Sequence, residues 1–197
     1  MFITFEGGEG AGKSTLISLF IEYLKNKYKK TDILSIKEPD AWYRDIIFNK
    51  KYNLTTEGEL FLFLANRSQT VNALQICNGS KIIVCDRFMD STIAYQVFGK
   101  GLDYEFVNTL NKQVVKDMVP NLTFWLDIPP KIGLQRTQER SSNNHFDNEN
   151  IAFHERVRAG FMYQHMRNED RIVKINANQP IDNVLEDIIK EFEKRFD

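Results

Sequence analysis

Cysteine is nearly absent: Cys77 and Cys85 are the only two in 197 residues, and no C-x-x-C pair occurs. That leaves no thiol redox motif, and Cys85, inside the apolar run Ile82 to Cys85, reads as a buried thiol. No cluster of cysteine and histidine has the spacing of a metal site. Charge of one sign is missing too, since 26 basic residues face 27 acidic ones. A net charge of −1 argues against a protein that coats nucleic acid, which needs a basic excess to displace counterions. Small anionic substrates remain open. No run approaches about 18 apolar residues, and no basic stretch leads into a long apolar segment at the N-terminus. The expectation is a soluble, cytoplasmic protein that neither spans a membrane nor binds nucleic acid. Internal repeats and low-complexity linkers are lacking as well, so residues 1–197 are expected to form one domain.

What the chain has is a phosphate loop. Gly7-Gly8-Glu9-Gly10-Ala11-Gly12-Lys13-Ser14 fits G-x-x-x-x-G-K-[ST], between the strand-like run Met1 to Phe5 and a helical run starting near Thr15. Glycines let backbone N–H groups curl inward onto polyphosphate oxygens, and the helix that follows adds its positive end. Lys13 can reach the β- and γ-phosphates as a mobile point charge, and the Ser14 hydroxyl is placed to ligate Mg2+. A nucleoside triphosphate is the expected ligand of residues 7–15.

Strand-like runs at Phe2–Phe5, Ile33–Ile36, Lys81–Cys85, Leu122–Leu126 and Arg171–Ile175 alternate with stretches of helical apolar spacing such as Leu16–Tyr28, Glu57–Ile76, Tyr104–Val115 and Ile181–Phe196. This predicts an α/β architecture, a five-stranded parallel sheet flanked by helices of the P-loop NTPase kind. Ligands of such sheets lie beyond the carboxyl ends of the strands. There the third strand offers Asp86, an expected partner of Mg2+, followed by Arg87. Water-activating ATPases commonly carry a glutamate at that second place; a guanidinium favours transfer between two phosphates over hydrolysis. The guanine-reading N-K-x-D is absent, which speaks against a GTPase. The polar stretch Glu139 to Asn150 reads as an exposed loop or a mobile lid.

In order and nearly end to end, F-E-G-G-E-G-A-G-K-S-T, Glu38-Pro39, F-L-A-N-R-S-Q, D-R-F-M-D-S-T-I-A-Y-Q, F-H-E-R-V-R-A-G and N-A-N-Q-P-I-D-N-V resemble the bacterial thymidylate kinases. The resemblance implies transfer of a phosphoryl group from ATP to dTMP with Mg2+, giving ADP and dTDP, in a homodimer. It implies that Phe63 stacks on thymine, Arg67 hydrogen-bonds its exocyclic oxygen, Gln96 lies near the base edge, and Tyr95 fills the space of a ribose 2′-hydroxyl. Glu38 and Ser91 join them at the substrate, Arg44 and Arg87 surround the monophosphate, and Glu9 lies near the sugar hydroxyl and the metal. Some relatives carry a basic residue after the P-loop acid. Gly10 stands there in this chain, so the resemblance assigns the transfer charge to a lid over about 136–150, with Arg140 and Arg136 as candidates. The Asn176–Pro180 loop corresponds to the adenine side.

Read from residues alone, Phe63 in Leu60–Leu64 reads rather as a core aromatic, Tyr95 as a core or rim residue, and Arg44 and Arg67 as solvated helix charges. The chain departs from the family in four places. Asp40-Ala41-Trp42-Tyr43 replaces Gly-Gly and a longer loop before Arg44, Asn144-His145-Phe146 replaces an Asp-Arg of the lid, Lys37 replaces an arginine, and Phe88 a tyrosine. Two alternatives stand beside a thymidylate kinase: a kinase of another nucleoside monophosphate or of a deoxynucleoside, and a P-loop protein that binds nucleotide without transfer.

Overall fold

Three of the strands are buried along their whole length, and they form the middle of the sheet. In the computed structural model, which describes residues 1–76, 81–138 and 149–196, β1 (Phe2–Glu6), β3 (Ile82–Asp86) and β4 (Leu122–Asp127) are central, while β2 (Ile33–Lys37) and β5 (Ile172–Asn176) lie at the edges. The order is β2-β3-β1-β4-β5 and every pair is parallel, as the strand–helix alternation predicts. Central strands of a parallel sheet are covered on both faces, which is why they read as unbroken apolar runs, whereas β2 and β5 include half-exposed residues.

Alternation along each strand divides the core. Ile3, Phe5, Val84, Phe124 and Leu126 face α1 (Lys13–Lys27) and α8 (Ile181–Phe196), meeting Leu16, Phe20, Val184, Ile188 and Phe192. On the opposite face Phe2, Ile83 and Cys85 meet Val71 of α3 (Thr56–Ile76) and Val115 of α5 (Tyr104–Val115), and Trp125 meets Val157 and Phe161 of α7 (Ile151–Arg167). Cys85 is fully buried, the place expected of it, and burial pushes its thiol up. Cys77 lies outside the described residues.

Shorter elements crowd the carboxyl ends of the strands. α2 (Ala41–Phe48) is capped by Asp40, whose side chain accepts from the Trp42 and Tyr43 N–H groups. α6 (Pro130–Gln138) follows β4. α4 (Met89–Thr92) runs into a wider π turn over Ile93–Gly99, with Lys100 N–H bonded to the Tyr95 carbonyl. Helix α7 lies directly on this turn because Gly99 and Gly160 have no side chains. A Cβ at Gly160 would come 2.8 Å from Ala94 Cα, and one at Gly99 2.7 Å from Phe153.

Candidate functional site

Lys13 reaches back across the loop that precedes it. Its Nζ donates to the carbonyls of Gly7 at 3.0 Å and Gly8 at 2.8 Å. The turn depends on glycine at Gly7, where φ is 143° and a Cβ would approach the Leu126 carbonyl oxygen to 2.6 Å. At Gly10, φ is 68° and a side chain would run into the Gly133 carbonyl of α6, so loop and helix meet backbone to backbone. Gly12 opens α1 at φ 80°, and Thr15 is exposed on its first turn. Burial and the nearby Arg87 push the Lys13 ammonium down to about 8. An ammonium so placed gains most from a polyanion entering the loop.

Asp86 ends β3 beside this lysine. Its Oδ2 lies 2.9 Å from Lys37 Nζ and 3.5 Å from Ser14 Oγ, and its Oδ1 is buried with no hydrogen-bond partner among the described residues. Burial alone would raise this carboxyl, yet Lys13, Arg87 and Lys37 together hold it below the usual range. An ionised carboxylate with an unspent oxygen, next to a hydroxyl, is the donor set that a hard cation such as Mg2+ takes.

Arg87 has the left-handed φ of 70°, held by a bond from its N–H to the Phe5 carbonyl. Its side chain turns to the P-loop: Nη1 donates to Gly7 O and Ser91 Oγ, and Nη2 to Glu9 Oε1 at 2.9 Å. The Tyr95 hydroxyl donates to the same Glu9 oxygen, and the guanidinium lies 5.0 Å from the Tyr95 ring centre. Beneath them Glu6, wholly buried at the end of β1, accepts from Phe88 N–H at 2.8 Å and Ser91 Oγ at 2.5 Å. Burial first, and then the Asp90 carboxylate, push Glu6 up to about 7.

Glu9, Lys13, Asp86, Arg87, Ser91 and Tyr95 line a cleft of about 260 Å³ at the carboxyl ends of the strands. Glu9 to Ser14 bound one side. At the other, Phe63 packs against Phe48, Arg44 lies 5.0 Å over the Phe48 ring, and Gln96 and Arg67 line the wall. The short segment after Glu38-Pro39 therefore does bring Arg44 to the cleft.

Arg67 is neither solvated nor idle. It is 2% exposed, and it donates to Glu38 Oε2, Thr92 Oγ1, Asn111 Oδ1 and the Phe88 carbonyl, while Nη2 also lies 2.9 Å from Glu38 Oε2. A ligand oxygen arriving here would have to share a donor already in use. Gln96 is likewise engaged, its Nε2 donating to Glu59 Oε1 at 3.0 Å. Arg136 donates to the Ala177 carbonyl, tying α6 to the loop after β5. Arg140, with 139–148 of the expected lid, lies outside the described residues. Glu6, Glu59, Thr92 and Asn111 were not singled out by the sequence. Only Glu6 carried a signal, as a carboxylate at the end of a buried strand.

A sequence model described as thymidylate kinase matches residues 5–188. The chain is 37% identical to the thymidylate kinase of Bacillus cytotoxicus, covering all of this chain and 98% of that protein, and 40% identical to that of Acholeplasma laidlawii, covering all of both. A crystal structure of thymidylate kinase from Ehrlichia chaffeensis superposes with a TM-score of 0.77 at 31% identity, covering 98% of each chain.

Proposed function

The chain belongs to the thymidylate kinase family, and from that membership we propose how its own residues divide the phosphorylation of dTMP by ATP. The observation that carries the reading is that one cleft is lined both by Glu9, Lys13 and Arg87 and by Phe63, Tyr95 and Gln96, with Tyr95 joining the two groups through its bond to Glu9. The P-loop and Lys13 hold the triphosphate of ATP; Phe63 stacks on thymine, Gln96 meets its edge and Tyr95 closes the space beside C2′. Glu38 and Arg67 form the buried floor of the base pocket, and Ser91 fixes Arg87. Arg44 and Arg87 hold the dTMP phosphate in line, so that one of its oxygens attacks the γ-phosphorus. The new P–O bond forms as the bond to the β-phosphate oxygen breaks and its electrons leave with ADP.

Ser14 and Asp86 are the residues that would hold Mg2+, whose charge offsets that of the phosphate oxygens. Gly10 leaves the P-loop without a second cation, which supports a subtype in which Arg140, or Arg136 beside the adenine-side loop, supplies transfer-stage charge. We read residues 1–197 as one kinase domain with its lid over about 136–150. Exposed Phe61 on α3 and Phe106 on α5 support a homodimer joined through helices. Among the described residues no helix is long and apolar enough to cross a membrane; a cytoplasmic place rests on the family.

The test is ATP consumption against a panel of nucleoside monophosphates, for the parent and for Lys13→Ala. The parent should prefer dTMP, and the variant should lose at least about tenfold in turnover, since charge-assisted bonds contribute about 1.5–3 kcal/mol each. Equal use of all monophosphates would point to a general nucleotide kinase, and no ATP consumption to a nucleotide-binding protein without transfer.

A further inference from the structure

Three side chains share one face of α3 at helical spacing: Glu59, Phe63 and Arg67 follow at i, i+4 and i+8. The last two line the cleft. Glu59 stands behind it, 4% exposed, with Oε1 accepting from Gln96 Nε2 at 3.0 Å and Oε2 paired with Lys100 Nζ at 2.6 Å. Gln96 lies within the π turn and Lys100 directly follows it, so one carboxylate ties α3 to that turn at two points.

A carboxamide is nearly symmetric in shape and opposite in chemistry at its two ends. Turned over, glutamine exchanges an acceptor for a donor without changing the space it fills. Thymine presents an N3–H donor beside its O4 acceptor, while cytosine presents an N3 acceptor beside its N4 amino donor. A freely turning glutamine could therefore serve either base. Gln96 is not free to turn, because an ionised carboxylate ion-paired with lysine can only accept. Its partner must be Nε2. The reversed rotamer would set Gln96 Oε1 against Glu59 Oε1, two acceptors in a buried place with the hydrogen bond lost.

We propose that Glu59 is a specificity-determining positioning residue, which locks the Gln96 carboxamide in the orientation that matches a 4-oxo pyrimidine and opposes a 4-amino one. This rests on the reading above, in which Gln96 meets the base edge. Glu59 itself touches no substrate; it decides which atom of Gln96 does.

The experiment is Glu59→Gln, assayed for kcat/KM with dTMP, dUMP and dCMP. The substituted amide has the same shape and can accept from, or donate to, Gln96. The dTMP-to-dCMP ratio should narrow by about tenfold or more, while the dTMP-to-dUMP ratio, two bases with the same edge, stays unchanged. Should Lys100 without its carboxylate prevent folding, Glu59→Gln with Lys100→Met carries the same test. An equal fall for all three substrates would reduce Glu59 to a structural part and overturn the proposal. Gln96→Met separates the two levels. If it narrows the dTMP-to-dCMP ratio and Glu59→Gln does not, Gln96 reads the base without the lock; if neither does, the placement of Gln96 at the base fails as well.

Discussion

Lys37 Nζ stands 2.9 Å from Asp86 Oδ2, the same oxygen that Ser14 Oγ approaches at 3.5 Å. The two residues are register partners on neighbouring parallel strands, so their ion pair crosses from β2 to β3 at the carboxyl edge of the sheet. An ammonium there balances the charge that a divalent cation would balance, and the two compete for one carboxylate.

Lys37→Met should therefore strengthen the binding of Mn2+ to the nucleotide-free protein severalfold, since one screened unit charge at this range is removed from beside the carboxylate. Titration calorimetry of parent and variant reads it directly, and Asp86→Asn should abolish the signal in both. Unchanged affinity in Lys37→Met would mean that the ion pair does not guard the metal position.

Glu6 gives a pH dependence with a definite sign. Burial, then Asp90, raise its carboxyl to about 7 against the pull of Ser91, Arg87 and the Phe88 N–H. In the unfolded chain it titrates near 4.3, so between about 4.5 and 7 the folded protein holds the extra proton. Stability should fall as pH rises through that window and the cost be complete above it, with an upper bound of about 4 kcal/mol. Glu6→Gln can accept from Phe88 N–H and donate to Ser91, and should flatten this slope. Urea denaturation of both proteins from pH 5 to 8 measures it; parallel curves would show that Glu6 is ionised throughout.

The residues just discussed show where sequence reading succeeds and where it stops. The P-loop was legible because its parts are contiguous, and the strands because burial on both faces leaves apolar runs. Yet every strand ends one residue beyond the run that announced it, at Glu6, Lys37, Asp86, Asp127 and Asn176. An apolar pattern ends at the last apolar residue, whereas Glu6 and Asp86 are buried because remote segments supply Phe88 N–H, Ser91 and Lys37. Asp127 likewise meets Arg158 and Lys174. The π turn had no signature in the spacing of Ile93–Gly99. Arg67 looked like a solvated helix charge because Glu38, Thr92 and Asn111, its partners, lie 25 to 44 residues away.

Gly160 tests the contact between α7 and the π turn. A methyl group there would meet Ala94 Cα at 2.8 Å and Phe98 Cβ at 3.0 Å, and the first of these is backbone that cannot swing aside. Gly160→Ala gains about 1 kcal/mol of helix propensity and loses about 1–3 kcal/mol to overpacking. The net should be a lower melting temperature and, because Tyr95 and Gln96 follow Ala94, a higher KM for dTMP than for ATP relative to the parent. Calorimetry and steady-state kinetics with both substrates varied would show it. A stabilised variant would mean that α7 shifts freely on the turn.

Arg67 makes the strongest prediction for stability. Its guanidinium pairs with Glu38, buried at 3% exposure, whose carboxyl is pushed up by burial even against that pairing. Arg67→Ala would leave that carboxylate without its countercharge and Thr92 Oγ1, Asn111 Oδ1 and the Phe88 carbonyl without their donor. Breaking a buried pair from one side costs about 3–5 kcal/mol. Removing the charge as well, in Arg67→Ala with Glu38→Gln, should recover part of the loss but not all, since the three neutral acceptors remain unserved. Chemical denaturation of parent, single and double variants gives the cycle. Any fall in dTMP turnover of Arg67→Ala must then be measured where the variant is still folded, or lost structure will pass for lost recognition. A single variant as stable as the parent would mean that these four bonds are dispensable without ligand, leaving the guanidinium available to a thymine oxygen.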